Sequence, residues 1–231
     1  YTVKELGDEA LADKLYTGQR EGGLQSFGYD VRCFFLCPDD RMKHTKVVDQ
    51  RCEEMIRRGL ISETTNLVLA GEMPDMASKA IGYRQTLEYL EREDAKDNDQ
   101  EAFEQYLEQF TGATRRYAKK QMQWFRKDDE FVFVSVPLAN EKAERVQSAA
   151  TEVLRLLKIP RNEYDQERLS QSSSSANARA DNVAQGKGMK YYQRENHLLK
   201  PGTQALYDAL AEADACTQRL QAKRQRTALP L

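Results

Sequence analysis

The segment DVRCFFLCP, residues 30–38, decides the fold class of this 231-residue chain. It is a short apolar run, rich in residues that favour β-structure, and Pro38 closes it. A second run of the same kind, EFVFVSVP, occupies residues 130–137. The two runs predict buried strands, and the helical segments between them predict a parallel sheet of the α/β class.

Segments with helical periodicity fill most of the remaining chain. They predict helices over roughly residues 40–58, 61–70, 76–92, 100–127, 140–157 and 201–226. Asp39 or Asp40 is expected to cap the first of these helices, and Gly59 suits its left-handed exit. The polar opening, residues 1–29, is predicted to form a short helix followed by a loop.

A change of composition divides the chain into three parts. The stretch SQSSSSANARADNVAQGKG, residues 170–188, offers almost nothing to bury and predicts a disordered linker. We therefore predict a mostly helical α/β part over residues 1–160, a Ser-rich linker over 161–190 and a helical tail over 191–231.

Composition limits the classes of function. The formal net charge is −2, with 35 basic and 37 acidic residues, so nucleic-acid binding would require local segregation of charge. The four cysteines form no C-x-x-C pair, which favours reduced thiols over a disulfide framework or a zinc site. No apolar run is long enough to span a membrane, and no signal-peptide pattern opens the sequence. We expect an intracellular protein of the cytoplasm or mitochondrion.

Charge does segregate in the stretch TRRYAKKQMQWFR, residues 114–126. On a helical wheel its cations fall within an arc of about 140°, with Gln123 in the middle of that arc. Two interpretations stay open at this point. A solvated helix with acids at its start and bases at its end suits the helix macrodipole, whereas an unneutralised cationic face suits a phosphate backbone. Tyr117 and Trp124, opposite the cations, are expected to lie in the core.

Three segments in order resemble the tRNA dimethylallyltransferases, also called tRNA isopentenyltransferases. They are KAIGYRQTLEYL at residues 79–90, TRRYAKKQMQWFR at 114–126 and the strand FVFVSV at 131–136. Upstream, FFLCPDDRMKHTKVVDQRCEEMIRRGLISE is similar to the strand and helix of that family that carry R-x-x-x-M-x-x-x-G. The resemblance covers about residues 30–136, and the long tail is typical of eukaryotic members.

The resemblance implies an activity and a fold. Members transfer a dimethylallyl group from dimethylallyl diphosphate to the exocyclic amine of the adenosine 3′-adjacent to the tRNA anticodon. Their fold is similar to that of P-loop kinases, with an inserted helical domain. A phosphate loop holds the diphosphate together with Mg²⁺. An aspartate acts as the general base for the attacking amine of the target adenosine, which is flipped out of the RNA. This sequence contains no such loop, since GQREGG lacks the lysine and the spacing. We therefore expect those parts in a missing N-terminal half, and we expect the chain alone to be inactive.

The resemblance also implies site residues. Arg51 corresponds to an arginine that reaches the allylic diphosphate, and its place beside Val48 and Cys52 on the wheel predicts a half-buried guanidinium suited to phosphate. A buried ion pair with a carboxylate is the alternative. The implied contacts to the tRNA anticodon stem-loop are Lys79, Gly82, Tyr83, Arg84, Arg115, Arg116, Lys119, Lys120, Gln123 and Arg126.

Two other functions compete with this interpretation. An adenylate isopentenyltransferase would prenylate a free nucleotide to make cytokinin, although a mononucleotide does not need a cationic surface two turns long. A non-catalytic RNA-binding module would keep only this part of the family sequence. The zinc finger that ends many eukaryotic members is not expected, because Cys216 and His197 cannot supply four ligands.

Overall fold

The computed structural model describes residues 28–92, 99–138, 141–173 and 189–228. Two strands, β1 (Cys33–Pro38) and β2 (Phe131–Val136), pair in parallel, with Cys33 opposite Phe131 and Pro38 opposite Val136. The α/β class and both predicted strands are thus confirmed. The helix and loop predicted over residues 1–29 lie almost wholly outside the described residues.

Helices make up most of the described chain. Their bounds are α1 Arg41–Arg57, α2 Leu60–Ala70, α3 Asp75–Ser78, α4 Tyr83–Leu90, α5 Gln100–Phe125, α6 Lys142–Lys158, α7 Arg161–Ser173 and α8 Gln204–Ala228, with a short 3₁₀ turn at Met189–Tyr191. The predicted cap is correct, since the Asp40 side chain accepts a hydrogen bond from the Lys43 N–H at 3.0 Å.

Two of the predicted boundaries are wrong. The single helix predicted over 76–92 is broken at Gly82, whose φ of 99° lies in the left-handed region that favours glycine. The linker predicted from residue 161 begins too early, because residues 161–173 form α7. Tyr164 of α7 is buried and bonds both the N–H and the C=O of Cys33 at 3.1 Å, so α7 is tied to β1. Residues 174–188 of that linker lie outside the described residues.

The larger hydrophobic core lies among the helices rather than on the sheet. Aromatic rings of α4 and α5 form its centre, with Tyr89 stacked on Tyr106 at a centroid distance of 4.9 Å. The Thr86 and Tyr106 hydroxyls share a hydrogen bond of 2.9 Å inside this cluster. Apolar side chains from α1, α2 and α8 complete it, including Ile56, Ile61, Leu206 and Leu210.

The sheet carries a smaller core and is joined to α5 at one point. Val132 and Val134 of β2 are buried with Leu156 and Tyr164. Phe125, the last residue of α5, packs against Phe35 at 4.6 Å and against Phe131 at 4.9 Å between ring centroids. The carboxyl end of α5 is therefore held against both strands.

The C-terminal segment belongs to the helical core and is not a separate tail. α8 buries Leu206, Leu210, Ala213, Cys216 and Leu220. The segment before it lies on α1, where the Glu53 carboxylate accepts hydrogen bonds from the N–H groups of residues 197, 198 and 199. Burial of one face of α8 explains why the helix forms, since its sequence alone makes only a marginal helix.

Candidate nucleic-acid interface

A groove of about 1310 Å³ lies between α1, α4 and the middle of α5. Two acidic residues, Glu88 and Glu108, line it. Cations outnumber them: the lining includes Arg41, Arg84, Arg115, Arg116, Lys119 and Arg126. We call this surface the basic groove. A concave surface with a local excess of positive charge attracts polyanions even on a protein whose net charge is slightly negative.

Helical spacing places the α5 side chains of the basic groove in one row. Gly112, Lys119 and Arg126 are seven residues apart, and Arg116 and Gln123 lie between them on the same side. At about 1.5 Å per residue the charged part of this row, from Arg116 to Arg126, is about 15 Å long, enough to follow more than one phosphate of a backbone. Gly112 lets the neighbouring guanidinium lie close to the helix, because a Cβ there would come within 3.3 Å of Nη1 of Arg116.

Four cations of the basic groove are available to an incoming anion. Within the described parts of the chain, Arg41, Arg116, Lys119 and Arg126 form no ion pair, and the last three are exposed. Arg84 is more constrained, since its Nε lies 3.8 Å from Glu88 one turn along the same helix. Cations that no carboxylate neutralises are the groups that release counterions when phosphate binds.

Arg115 has a different role from its neighbours. Its Nη1 donates to both carboxylate oxygens of Asp49 at 2.9 Å, and its Nη2 donates to Glu108 at 2.6 Å. Asp49 is fully buried. Burial acts to lower the pKa of the Arg115 guanidinium, but the charges of Asp49 and Glu108 outweigh it and raise that pKa. The Arg115 guanidinium is already satisfied by two carboxylates, so it serves the fold of the groove wall.

The other predicted contacts lie elsewhere. Lys79 and Lys120 are exposed outside the groove lining. Gly82 is buried at the start of α4, where its N–H donates to the Gln85 side chain at 2.9 Å. The Tyr83 hydroxyl donates to Glu63 at 2.5 Å. The structure thus brings six of the ten predicted contacts into one groove: Arg84, Arg115, Arg116, Lys119, Gln123 and Arg126.

Arg51 is not half-buried as its helical position predicted. Its side chain is exposed on α1, and it is outside the lining of the basic groove. The buried side of α1 is formed instead by Val48, Asp49, Cys52 and Glu53. The predicted alternative, a buried ion pair, does not involve Arg51 either; it involves Asp49 and Arg115.

Sequence reasoning assigned no site role to several residues that line the groove. Arg41 and His44 come from the first turn of α1, just beyond the carboxyl end of β1, and Met189 comes from the C-terminal segment. Burial lowers the pKa of the His44 imidazole, so this groove residue is neutral near pH 7. The position of Arg41 and His44 after a buried parallel strand was the available signal, because ligands bind beyond the carboxyl ends of such strands.

The two aromatic residues of the basic stretch are not in the core. Trp124 is 70% exposed and Tyr117 is 52% exposed. The expectation that they pack inside the protein is therefore wrong, and Phe125 makes the ring contacts to the sheet.

Neither a cluster of metal-ligating side chains nor a membrane-spanning helix occurs within residues 28–92, 99–138, 141–173 and 189–228. There, no group of three or more His, Cys, Asp or Glu side chains is arranged to hold a metal ion. Among the same residues no helix has the length and apolarity needed to cross a bilayer.

Comparisons with known proteins agree with the motifs. The family model described as IPP transferase matches residues 9–128. The tRNA dimethylallyltransferase of Protochlamydia amoebophila is 37% identical over 119 residues, which are 51% of this chain and 33% of that protein. The tRNA dimethylallyltransferase 9 of Arabidopsis thaliana is 40% identical over 105 residues, covering 42% of this chain and 22% of that protein.

A third relative, the tRNA dimethylallyltransferase of Exiguobacterium sibiricum, is 38% identical over 111 residues, 48% of this chain and 33% of its own length. The matched part of the chain thus spans a third or less of each of these relatives. No solved structure matches the chain significantly.

Proposed function

Because the chain belongs to the IPP transferase family, we propose that it forms the tRNA-binding part of a tRNA dimethylallyltransferase. The reaction joins C1 of a dimethylallyl group to the exocyclic amine of the adenosine 3′-adjacent to the anticodon. The bond from C1 to the diphosphate oxygen breaks, the diphosphate leaves, and the amine loses a proton. The role of this chain is to bind the anticodon stem-loop and to contribute one arginine, Arg51, to the diphosphate.

The basic groove carries this proposal. Four cations without a carboxylate partner line one concave surface, and three of them follow a single row on α5. Phosphate contacts of this kind fix the position of an RNA without reading its sequence. Arg115 supports the proposal indirectly, because its pairing with Asp49 holds α5 against α1 and so fixes the width of the groove.

Adenylate isopentenyl transfer is the weaker alternative. A single nucleotide offers one cluster of phosphates, whereas the α5 cations from Arg116 to Arg126 extend over about 15 Å. A non-catalytic RNA-binding module would use the same groove without contacting a diphosphate. A role of Arg51 in diphosphate binding therefore distinguishes an enzyme from such a module.

The test compares salt dependence of RNA binding in matched variants of this chain. Binding of an unmodified anticodon stem-loop is measured at several salt concentrations for Lys119→Ala, Arg126→Ala and Lys120→Ala. Each variant should weaken binding and reduce the slope of log K against log salt by about 0.7–0.9, the value for one lost phosphate contact. Lys142→Ala, an exposed lysine on α6, is the control and should change neither quantity.

Two results would contradict the proposal. Wild-type affinity and slope in all of the α5 variants would mean that the cations are a solvated helix face. If adenylate displaces the RNA at concentrations well below those at which other anions displace it, the result would favour a mononucleotide as the substrate. Binding of dimethylallyl diphosphate should not respond to the α5 variants.

A further inference from the structure

The exposed arc of α5 continues from cations to aromatic rings. Around the helix from Lys119, successive positions carry Arg116, then Lys120, and then Trp124 and Tyr117. All of these side chains are exposed. Tyr117 and Trp124 are seven residues apart, so they lie on one side of the helix about 10.5 Å apart along its axis. We call them the aromatic pair.

The end of the aromatic pair nearest the sheet is held in place. The Trp124 indole packs beside the Phe125 ring at a centroid distance of 5.1 Å and an interplanar angle of 52°. Phe125 is in turn fixed between Phe35 and Phe131 of the two strands. Trp124 therefore presents 70% of its surface to solvent from a rigid support, and a preorganised ring loses little entropy when a ligand stacks on it.

The chemistry of this surface suits single-stranded RNA. Proteins that bind unpaired nucleotides combine a cationic path for the backbone with aromatic side chains on which bases stack. Sequence-specific recognition of RNA also targets loops, because their bases can leave the stack and lie on aromatic rings. A duplex would use the basic groove alone, since its bases are not available for stacking.

We propose that Tyr117 and Trp124 form a stacking site for unpaired loop bases of the RNA whose backbone lies in the basic groove. Lys120 lies between the aromatic pair and the groove, whose lining includes Arg116, and it carries the connecting phosphate. The site discriminates a loop from a duplex, which the phosphate contacts cannot do. This inference rests on the proposed function, because it takes RNA in the groove as its starting point.

Trp124 is the only tryptophan of the chain, so its fluorescence reports on this site alone. The experiment titrates the full chain with the unmodified anticodon stem-loop and with the same stem closed by a non-nucleotide linker. Binding of each RNA is followed separately by the anisotropy of a label on the stem. The stem-loop should quench the tryptophan emission, whereas the linker-closed stem should bind more weakly and leave the emission unchanged.

The RNA affinity of site variants provides a second test of the stacking site. Trp124→Ala and Tyr117→Ala should each weaken binding of the stem-loop by roughly tenfold, the usual effect of losing one stacked base. Their salt slope should stay at the wild-type value, because no phosphate contact is removed. Tyr207→Ala, a tyrosine 54% exposed on α8, is the matched control and should bind like the wild type.

The outcomes separate this inference from the proposed function. Binding of the stem-loop with no quenching, and with wild-type affinity in both aromatic variants, overturns the stacking site and leaves the groove intact. Absence of binding by either RNA overturns both. A blue shift of the emission with protein concentration, in the absence of RNA, would mean that the aromatic pair is buried between copies of the chain, and it would also overturn the stacking site.

Discussion

Tyr192 donates its hydroxyl to Oδ2 of Asp49 at 2.6 Å, although 143 residues separate the two in sequence. The same carboxylate accepts from Arg115, whose guanidinium lies 5.4 Å from the centre of the Tyr192 ring. Three parts of the chain meet here: α1, the cationic half of α5 and the segment before α8. The C-terminal segment is therefore joined to a wall of the basic groove by a buried charge.

Tyr192→Phe should destabilise the protein by about 1–2 kcal/mol, because a buried carboxylate loses one of its donors. Asp49→Ala should cost more, about 3–5 kcal/mol, because it leaves the Arg115 guanidinium without its buried partner. Urea unfolding measures both values. Tyr207→Phe provides the matched control for the loss of a hydroxyl, and equal effects of Tyr192→Phe and Tyr207→Phe would contradict a structural role for this bond.

Glu53 makes the second attachment of the same segment. Its carboxylate accepts from the N–H groups of His197 at 3.0 Å, Leu198 at 2.5 Å and Leu199 at 2.9 Å. Glu53→Gln should lower the free energy of unfolding by about 2 kcal/mol, because an amide NH₂ would face backbone donors in place of an acceptor. It should also speed hydrogen exchange at the amides of residues 197–199. Glu54→Gln, one position along α1 and half-buried, should change neither measurement.

The sequence predicted those features whose signal is local. The apolar runs predict β1 and β2, and Asp40 predicts the start of α1. Helical spacing predicts the row of cations on α5. Asp49 and Glu53 were not predicted, because two buried acids on a helix are indistinguishable from solvated ones until their distant partners are known. The core position of α8 was missed for the same reason, since its partners are on α2 and α4.

Arg115 and Trp124 show the same limit on the candidate site. Both belong to one motif and one helix, yet Arg115 is bound to Asp49 while Trp124 is open to solvent. A helical wheel gives the direction of a side chain but does not show which surface lies opposite to it. Trp124 lies on the surface because Phe125, the next residue along the helix, makes the contact with the sheet.

His44 should make RNA binding depend on pH. Burial lowers the pKa of its imidazole from its ordinary value of 6.5, so the free protein gains the proton only below that pH. Phosphate in the groove favours the charged form and raises this pKa on binding. Affinity should therefore rise as the pH falls from the pKa of the RNA-bound imidazole to the lower pKa of the free protein. Without RNA the sign is opposite: the neutral imidazole contributes stability above about pH 6.5, and this contribution is lost as the pH falls through the lowered pKa.

Binding isotherms of the stem-loop between about pH 5 and 8 measure the first effect, and urea unfolding over the same range measures the second. His44→Gln should remove both dependences while keeping a polar side chain in the groove. Any dependence that persists in this variant comes from other groups. A variant with the full wild-type pH profile would exclude His44 as the source.

Arg51 should serve the diphosphate, whereas the α5 cations serve the RNA. Its guanidinium is exposed on α1, seven residues and two turns from His44 and thus on the same side of that helix. If the proposed function is correct, Arg51→Ala in a transferase that contains this chain should lower kcat/KM for dimethylallyl diphosphate. The loss should equal about 2–4 kcal/mol of transition-state stabilisation, because a charge-assisted contact to the leaving group is lost. Arg51→Lys should restore only part of this loss, since an ammonium keeps the charge without the planar pair of donors.

The exposure of Arg51 makes the result easy to interpret. An exposed side chain without an ion pair in the described chain contributes little to folding, so the melting temperature of Arg51→Ala should match that of Arg57→Ala, an exposed control on the same helix. Affinity for tRNA without the diphosphate should equal the wild-type value in both variants. A lower melting temperature with equal losses for tRNA and diphosphate would show a structural arginine and would remove Arg51 from the site.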